Sequence, residues 1–209
     1  MTIPAFINSL ATQLSQPLPG LSAQVEMASM RRGGSWDVRD DHRKSGVLAL
    51  LYPHLEELQM VFMKRTEDGR VHSGQVSFPG GKMEPSDSDS TFTALREAHE
   101  ELGILPDSVK VLGQLTELYI PPSNFMVYPT VGFSAQRPDF LPEPGEVAEI
   151  IEVPVRHLLN PDTRQEVKVK VAQGMKVQAP AFVVNDHIIW GATSMMLNEL
   201  LTIIRRLDQ

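Results

Sequence analysis

Three glutamates on one short helix are where chemistry would sit in this chain. In Arg96-Glu97-Ala98-His99-Glu100-Glu101-Leu102-Gly103-Ile104, a helix advancing about 100° per residue places Glu97, Glu100 and Glu101 within an arc of about 100°. Like charges that close repel one another. A hard divalent cation such as Mg²⁺ or Mn²⁺, which takes oxygen ligands, relieves that repulsion. The competing reading of such a run is a solvated acidic face. The context argues against it. Ala94, Leu95, Ala98 and Leu102 form an apolar stripe that would dock the helix on a core. Gly103 stands where a helix C-cap belongs, and Arg96 lies one turn before Glu100, close enough to hold its carboxylate. Upstream, Gly80-Gly81-Lys82-Met83-Glu84 is a glycine turn, which lets backbone approach a metal or phosphate without side-chain obstruction.

The elements that would position this helix follow from hydrophobic periodicity. Residues 4–15 read as a helix, with Pro4 in the first turn and Phe6, Leu10 and Leu14 recurring along one face. Residues 30–45 are polar and carry Arg31, Arg32, Arg39, Arg43 and Lys44; a solvated connector and a phosphate-binding loop stand as equal readings. Residues 46–52 and 58–64 read as strands joined by a turn at His54-Leu55-Glu56-Glu57, and 65–81 as a loop returning to the glycine turn. After the acidic helix at 90–102, strands are expected at 109–116, 127–133, 149–153, 166–171, 176–184 and 188–190. Turns fall at Gly174 and at Asn185-Asp186, a short helix at 154–159, and a last helix at 193–207. Strands outnumber helices, so the pattern gives an α+β fold: a mixed sheet with helices packed on it. At 209 residues the chain reads as one domain, 1–209, with 1–45 as an N-terminal extension.

Composition narrows the partners. A net charge of −7 disfavours nucleic acid but leaves room for a small phosphorylated substrate held by a local basic patch. The chain has no cysteine, which excludes a disulfide framework and a Cys-based zinc ribbon. No apolar run reaches membrane-spanning length, so no membrane partner is expected. The first basic residue is Arg31 and the chain closes on Leu-Asp-Gln, so neither a leader nor a peroxisomal address is read; the cytoplasm is the expected compartment.

The segment 81–104 resembles the Nudix box, G-x5-E-x7-R-E-U-x-E-E-x-G-U, where U is bulky and apolar. Gly81, Arg96, Glu97, Glu100, Glu101, Gly103 and Ile104 match. Asp87 replaces the first Glu, eight residues rather than seven separate it from Arg96, and Ala98 is small for its position. The extra residue and the Asp resemble one subgroup, the coenzyme A pyrophosphatase-like Nudix hydrolases. A second stretch resembles the same subgroup: Arg65, Arg70, Gly74 and Phe78-Pro79-Gly80-Gly81 fall in register with its signature, and Trp190-Gly191-Ala192-Thr193 is similar to a later element. Val61, Phe62, Met63 and Thr66 depart from that signature.

The resemblance implies a Nudix α/β/α sandwich and hydrolysis of a diphosphate linkage with Mg²⁺ or Mn²⁺. Carried over by position, Glu97, Glu100 and Glu101 look like the metal set and Gly80, Gly81, Arg65 and Arg70 like substrate contacts, guanidinium groups being suited to phosphate. Glu146, in Glu143-Pro144-Gly145-Glu146-Val147, is the candidate base outside the box, set against an ordinary loop acid. Asp87 is read as a support of the loop or a ligand through water. His72, Phe78, Trp190 and the Met195-Met196 pair carry duller readings, as a loop histidine and core residues. The implied substrate is coenzyme A or an acyl derivative, cut to 3′,5′-ADP and 4′-phosphopantetheine. Hydrolysis of another nucleoside diphosphate derivative such as ADP-ribose is one alternative. A non-catalytic nucleotide-binding regulatory domain is the other. A homodimer is the family's habit.

Overall fold

The computed structural model describes residues 1–29, 37–67, 73–170 and 175–208. Its centre is strand β1 (Arg43–His54), which has a buried middle and alternates between two cores. Leu48, Leu50 and Tyr52 point to one side, Ala49 and Leu51 to the other. This is the run of apolar residues expected of a strand covered on both faces. A two-residue turn at Leu55 and Glu56, both with positive φ, leads into β2 (Glu57–Arg65). That geometry matches the twist of a tight hairpin. The sequence expectation of residues 46–52 therefore undershoots. β1 begins at Arg43 because it pairs in parallel with β7 (Phe125–Ser134) from Arg43↔Phe125 to Leu51↔Phe133.

The main sheet has the order β3 (Val76–Ser77), β2, β1, β7, β5 (Val109–Gln114), with β4 (Gly80–Lys82) pairing β1, β6 (Leu118–Ile120) pairing β7 and β8 (Val147–Pro154) pairing β2. β1–β7 is its parallel pair and the other pairings are antiparallel, so the sheet is mixed as expected. A second, three-stranded antiparallel sheet is formed by β9 (Arg164–Lys170), β10 (Lys176–Val184) and β11 (His187–Trp190). The expected turn at Gly174 lies outside the described residues.

Helix α3 (Ser90–Leu102) covers one face of the main sheet through Ala94, Ala98 and Leu102, packed with Leu48, Leu50, Tyr52, Val61 and Met63. The other face carries α1 (Ile3–Leu14) and α5 (Gly191–Arg205), whose Ile7, Leu10, Leu14, Met196, Leu197, Leu200, Leu201 and Ile204 join one core with Ala49, Leu51, Met60 and Phe62. This is the α/β/α sandwich. Two short helices complete it, α2 (Leu21–Val25), which periodicity did not announce, and α4 (Val155–Leu159). Three further expectations change. The strand expected at 109–116 stops at Gln114. The loop expected at 65–81 contains β3 and β4, which gain their order only by pairing with distant strands. The last helix starts two residues early, at Gly191.

Candidate functional site

The acidic helix is bounded by local signals. The Asp89 carboxylate accepts the Phe92 N–H at 2.8 Å as N-cap. Gly103 sits at φ 72°, and the N–H groups of Gly103 and Ile104 reach the carbonyls of His99 and Ala98. This fixes where each glutamate emerges.

Glu101 is 2% exposed. Its Oε2 accepts the Gly80 N–H at 2.7 Å, and Oε1 lies 3.5 Å from Arg65 Nη1, an ion pair too long for a tight hydrogen bond. Burial pushes its pKa up to about 8, against the pull of the Gly80 N–H and Arg65 and with help from the charges of Glu97 and Glu146. Glu97 is also pushed up, first by burial and then by Glu100 and Glu146, while Arg96 opposes the rise. Glu146 is exposed; its backbone carbonyl accepts the N–H of Thr66, the residue after Arg65, at 3.0 Å, and its charge adds to the upward push on Glu97 and Glu101. Glu100 is the outermost of the three, with its side chain 56% exposed.

The glycine turn closes over this cluster for steric reasons. A Cβ on Gly81 would lie 2.5 Å from Cδ of Glu97, and one on Gly80, whose φ is 152°, would lie 2.4 Å from the Gly46 carbonyl oxygen. At Gly80 the obstacle is backbone, whereas at Gly81 it is the end of the Glu97 side chain, which would have to move.

One guanidinium organises the acids. Arg96 Nη1 contacts Glu97 Oε1 at 3.0 Å and Glu100 Oε2 at 2.9 Å. Its Nη2 donates to the Lys82 carbonyl at 3.1 Å, and Nε and Nη2 grip Asp87. Asp87 in turn accepts from Thr93 Oγ1 and the Glu84 N–H, each at 2.9 Å. Of the two readings of Asp87, loop support is the one the contacts match. The reach of Arg96 to Glu100 is legible one helical turn away; its larger role as the hub of four contacts depends on the fold of 82–87.

The remaining candidates separate. Arg65 is at the cluster. Arg70 and His72 lie outside the described residues. Phe78 is buried and stacks on Phe62, ring centres 5.0 Å apart, and Met195 and Met196 are core.

The donor set suits a hard cation. It consists of carboxylate oxygens, the backbone approaches without a side chain at Gly81, and burial plus like charge raises Glu97 and Glu101, a cost that a cation would offset. As they stand, among the described residues, no three acidic or imidazole side chains converge closely enough to hold an ion.

The mixed sheet thus lies between helices, with a glycine turn set against a carboxylate-bearing helix. The NUDIX domain model matches residues 42–173, and the chain belongs to the Nudix hydrolase family. An uncharacterized Nudix hydrolase, NudL, from Photorhabdus laumondii is 35% identical over 141 residues, 68% of this chain and 74% of that protein. The mouse peroxisomal coenzyme A diphosphatase NUDT7 is 35% identical over 149 residues, 69% of this chain and 63% of its own length. The match thus spans less than two thirds of the mouse protein. The crystal structure of a MutT/nudix family protein from Enterococcus faecalis superposes with a TM-score of 0.55 at 14% identity, covering 100% of this chain and 76% of that one, a likeness of fold. Among the described residues, no helix is long and apolar enough to cross a membrane.

Proposed function

We propose that this chain hydrolyses the diphosphate linkage of coenzyme A or an acyl-coenzyme A, giving 3′,5′-ADP and (acyl-)4′-phosphopantetheine, with Mg²⁺ or Mn²⁺. The observation that carries the reading is the buried Glu101 carboxylate, held by the Gly80 N–H under the Gly80-Gly81 turn with Arg65 beside it and the Glu97 carboxylate against Gly81. The substrate rests on the resemblance of Arg65, Gly74 and Phe78-Pro79-Gly80-Gly81 to the coenzyme A pyrophosphatase signature, and on the mouse relative's name.

Glu97, Glu100 and Glu101 would hold the cation, which when bound supplies charge neutralisation and a lowered pKa for water. The rest falls to the chain's own groups. Arg65 binds a phosphate oxygen. Gly80 and Gly81 let the diphosphate lie against backbone. Glu146 accepts the proton of the attacking water. The water oxygen forms the new P–O bond, the bridging P–O bond breaks, and the departing phosphate carries away its electron pair. A cytoplasmic setting and a homodimer belong to the reading as defaults, checked by cell fractionation and sedimentation.

The test is a panel of coenzyme A, acyl-coenzyme A, ADP-ribose and a dinucleotide with each cation, products separated by chromatography. Coenzyme A is expected to turn over fastest and yield both named products. Faster turnover of ADP-ribose overturns the substrate while keeping the reaction class. Binding without turnover in the whole panel returns the chain to a regulatory role.

A further inference from the structure

The segment that brings Glu146 to the acidic cluster is fastened at both ends and in the middle. Leaving β7, the chain passes Arg137, whose Nε and Nη2 lie 2.8 and 2.7 Å from the two carboxylate oxygens of Glu152 on β8. Glu152 also accepts the Tyr52 hydroxyl at 2.7 Å. The Arg137 guanidinium sits 5.1 Å from the centre of the Phe140 ring, and Phe140 meets Tyr52 edge-on at 5.7 Å. Midway, the N–H groups of Leu141 and Glu143 donate to the carbonyls of Leu102 and Glu101, both at 2.9 Å. These are carbonyls that the end of a helix leaves unsatisfied. At the far end Thr66 donates twice, its N–H to the Glu146 carbonyl at 3.0 Å and its hydroxyl to the Gly145 carbonyl at 3.1 Å. The Thr66 carbonyl meanwhile accepts the Gly74 N–H at 3.2 Å. Since Thr66 directly follows Arg65, one residue ties the arginine segment to the glutamate.

Among the described residues, little else holds this segment. Residues 141–146 are exposed, Leu141 by 72%, and only Phe140 packs on the core under α3. Its position is therefore set by hydrogen bonds and one ion pair rather than by burial. Loosening those fastenings leaves both cores intact while letting the carboxylate wander, and a displacement of about 1 Å can cost two orders of magnitude in rate.

We propose that residues 137–146 form a strap that holds Glu146 at the carboxylate cluster, with Thr66 and Arg137 as positioning residues at its two anchors. This rests on the reading of Glu146 as acceptor of the water proton.

The experiment measures kcat and KM for Thr66→Val, Thr66→Ser, Arg137→Ala, Glu146→Gln and the double variant Thr66→Val/Glu146→Gln, with Mg²⁺ and the substrate that the panel identifies. Thermal unfolding checks that each variant is folded at the assay temperature. Thr66→Val and Arg137→Ala are expected to lower kcat about tenfold with KM little changed. Thr66→Ser should restore the rate, and the double variant should lose no more than Glu146→Gln alone. Wild-type kcat in folded Thr66→Val or Arg137→Ala, beside an impaired Glu146→Gln, overturns the strap. So do losses that multiply in the double variant. Wild-type kcat in Glu146→Gln overturns both the base assignment and the strap, and continued turnover there separates that result from failure of the diphosphatase reading.

Discussion

Asp87 and Arg96 meet fork to fork: Nε to Oδ1 and Nη2 to Oδ2 are each 2.9 Å, and the Asp87 side chain has 0% exposure. Such bidentate pairs are the strong form of charge-assisted hydrogen bond. This one turns the remaining edge of the guanidinium toward Glu97 and Glu100, so the loop at 82–87 sets the helix acids from outside the cluster.

Breaking the pair should cost both stability and activity. Asp87→Ala leaves a largely buried guanidinium facing a cavity and is expected to destabilise by about 3 kcal/mol. Denaturant titration measures this directly. The activity of the folded variant should also fall, because Arg96 loses the partner that orients it. Unchanged stability would mean that the Arg96 bond to the Lys82 carbonyl holds the loop without Asp87.

The same pair gives the fold an acid limb. Hydrogen bonding from Arg96 holds the Asp87 carboxyl well below its ordinary 3.8. A carboxyl lowered in the folded state stabilises while it is ionised. Its contribution is complete above the unfolded pKa and is withdrawn as pH falls through and below that value toward the folded one. The stability gap between wild type and Asp87→Asn is therefore expected to narrow between about pH 5 and pH 2. A gap constant over that range contradicts the assignment.

Local signals carried most of this architecture, and distant ones carried what was missed. The acidic helix was legible because its cap at Gly103, its Ala94–Ala98–Leu102 stripe and its charges all agree. β3 and β4 were not, since two or three residues have no periodicity and exist only through their partners Met63, Lys64 and Ser45–Val47. Glu199 shows the same limit. In sequence it is one charge on an apolar helix; in the fold it is 0% exposed and accepts from Gly20 N–H, Gln24 Nε2 and Thr116 Oγ1, contacts 83 to 179 residues away. A buried carboxylate announces itself only when its donors are known. Glu146 stood between a base and a loop acid for the same reason, because nothing near it in sequence places Thr66 at its carbonyl.

The two glycines of the turn should fail differently. In Gly80→Ala the new methyl meets backbone, the Gly46 carbonyl oxygen at 2.4 Å and the Val47 Cα at 2.6 Å, at a φ that disfavours any side chain. Backbone cannot step aside, so a loss of about 3 kcal/mol is expected. In Gly81→Ala the methyl meets the far end of Glu97, with Cδ at 2.5 Å. That carboxylate can swing away, so the fold should keep its stability while the activity drops. Thermal unfolding beside steady-state rates separates the two. A Gly81→Ala protein with wild-type activity would show that the position of Glu97 is immaterial.

Glu101 links metal, pH and stability in one measurement. Burial raises it from 4.5 to about 8. For a carboxyl raised in the folded state, the stabilising contribution is complete below the unfolded pKa and is lost as pH rises through the folded one. Metal-free wild type should therefore weaken between about pH 4.5 and pH 8, whereas Glu101→Gln, which cannot ionise, should weaken less and overtake it at the alkaline end. The amide oxygen of Gln can still accept the Gly80 N–H, so the fold is expected to survive while turnover is abolished. A saturating cation reverses the ranking. At a hundredfold excess over its Kd, Mg²⁺ or Mn²⁺ should stabilise wild type by about 2.7 kcal/mol and leave the variant nearly unmoved. Unfolding curves with and without chelator across this pH range read both effects. A variant that responds to the cation as fully as wild type removes Glu101 from the metal set, whatever its activity.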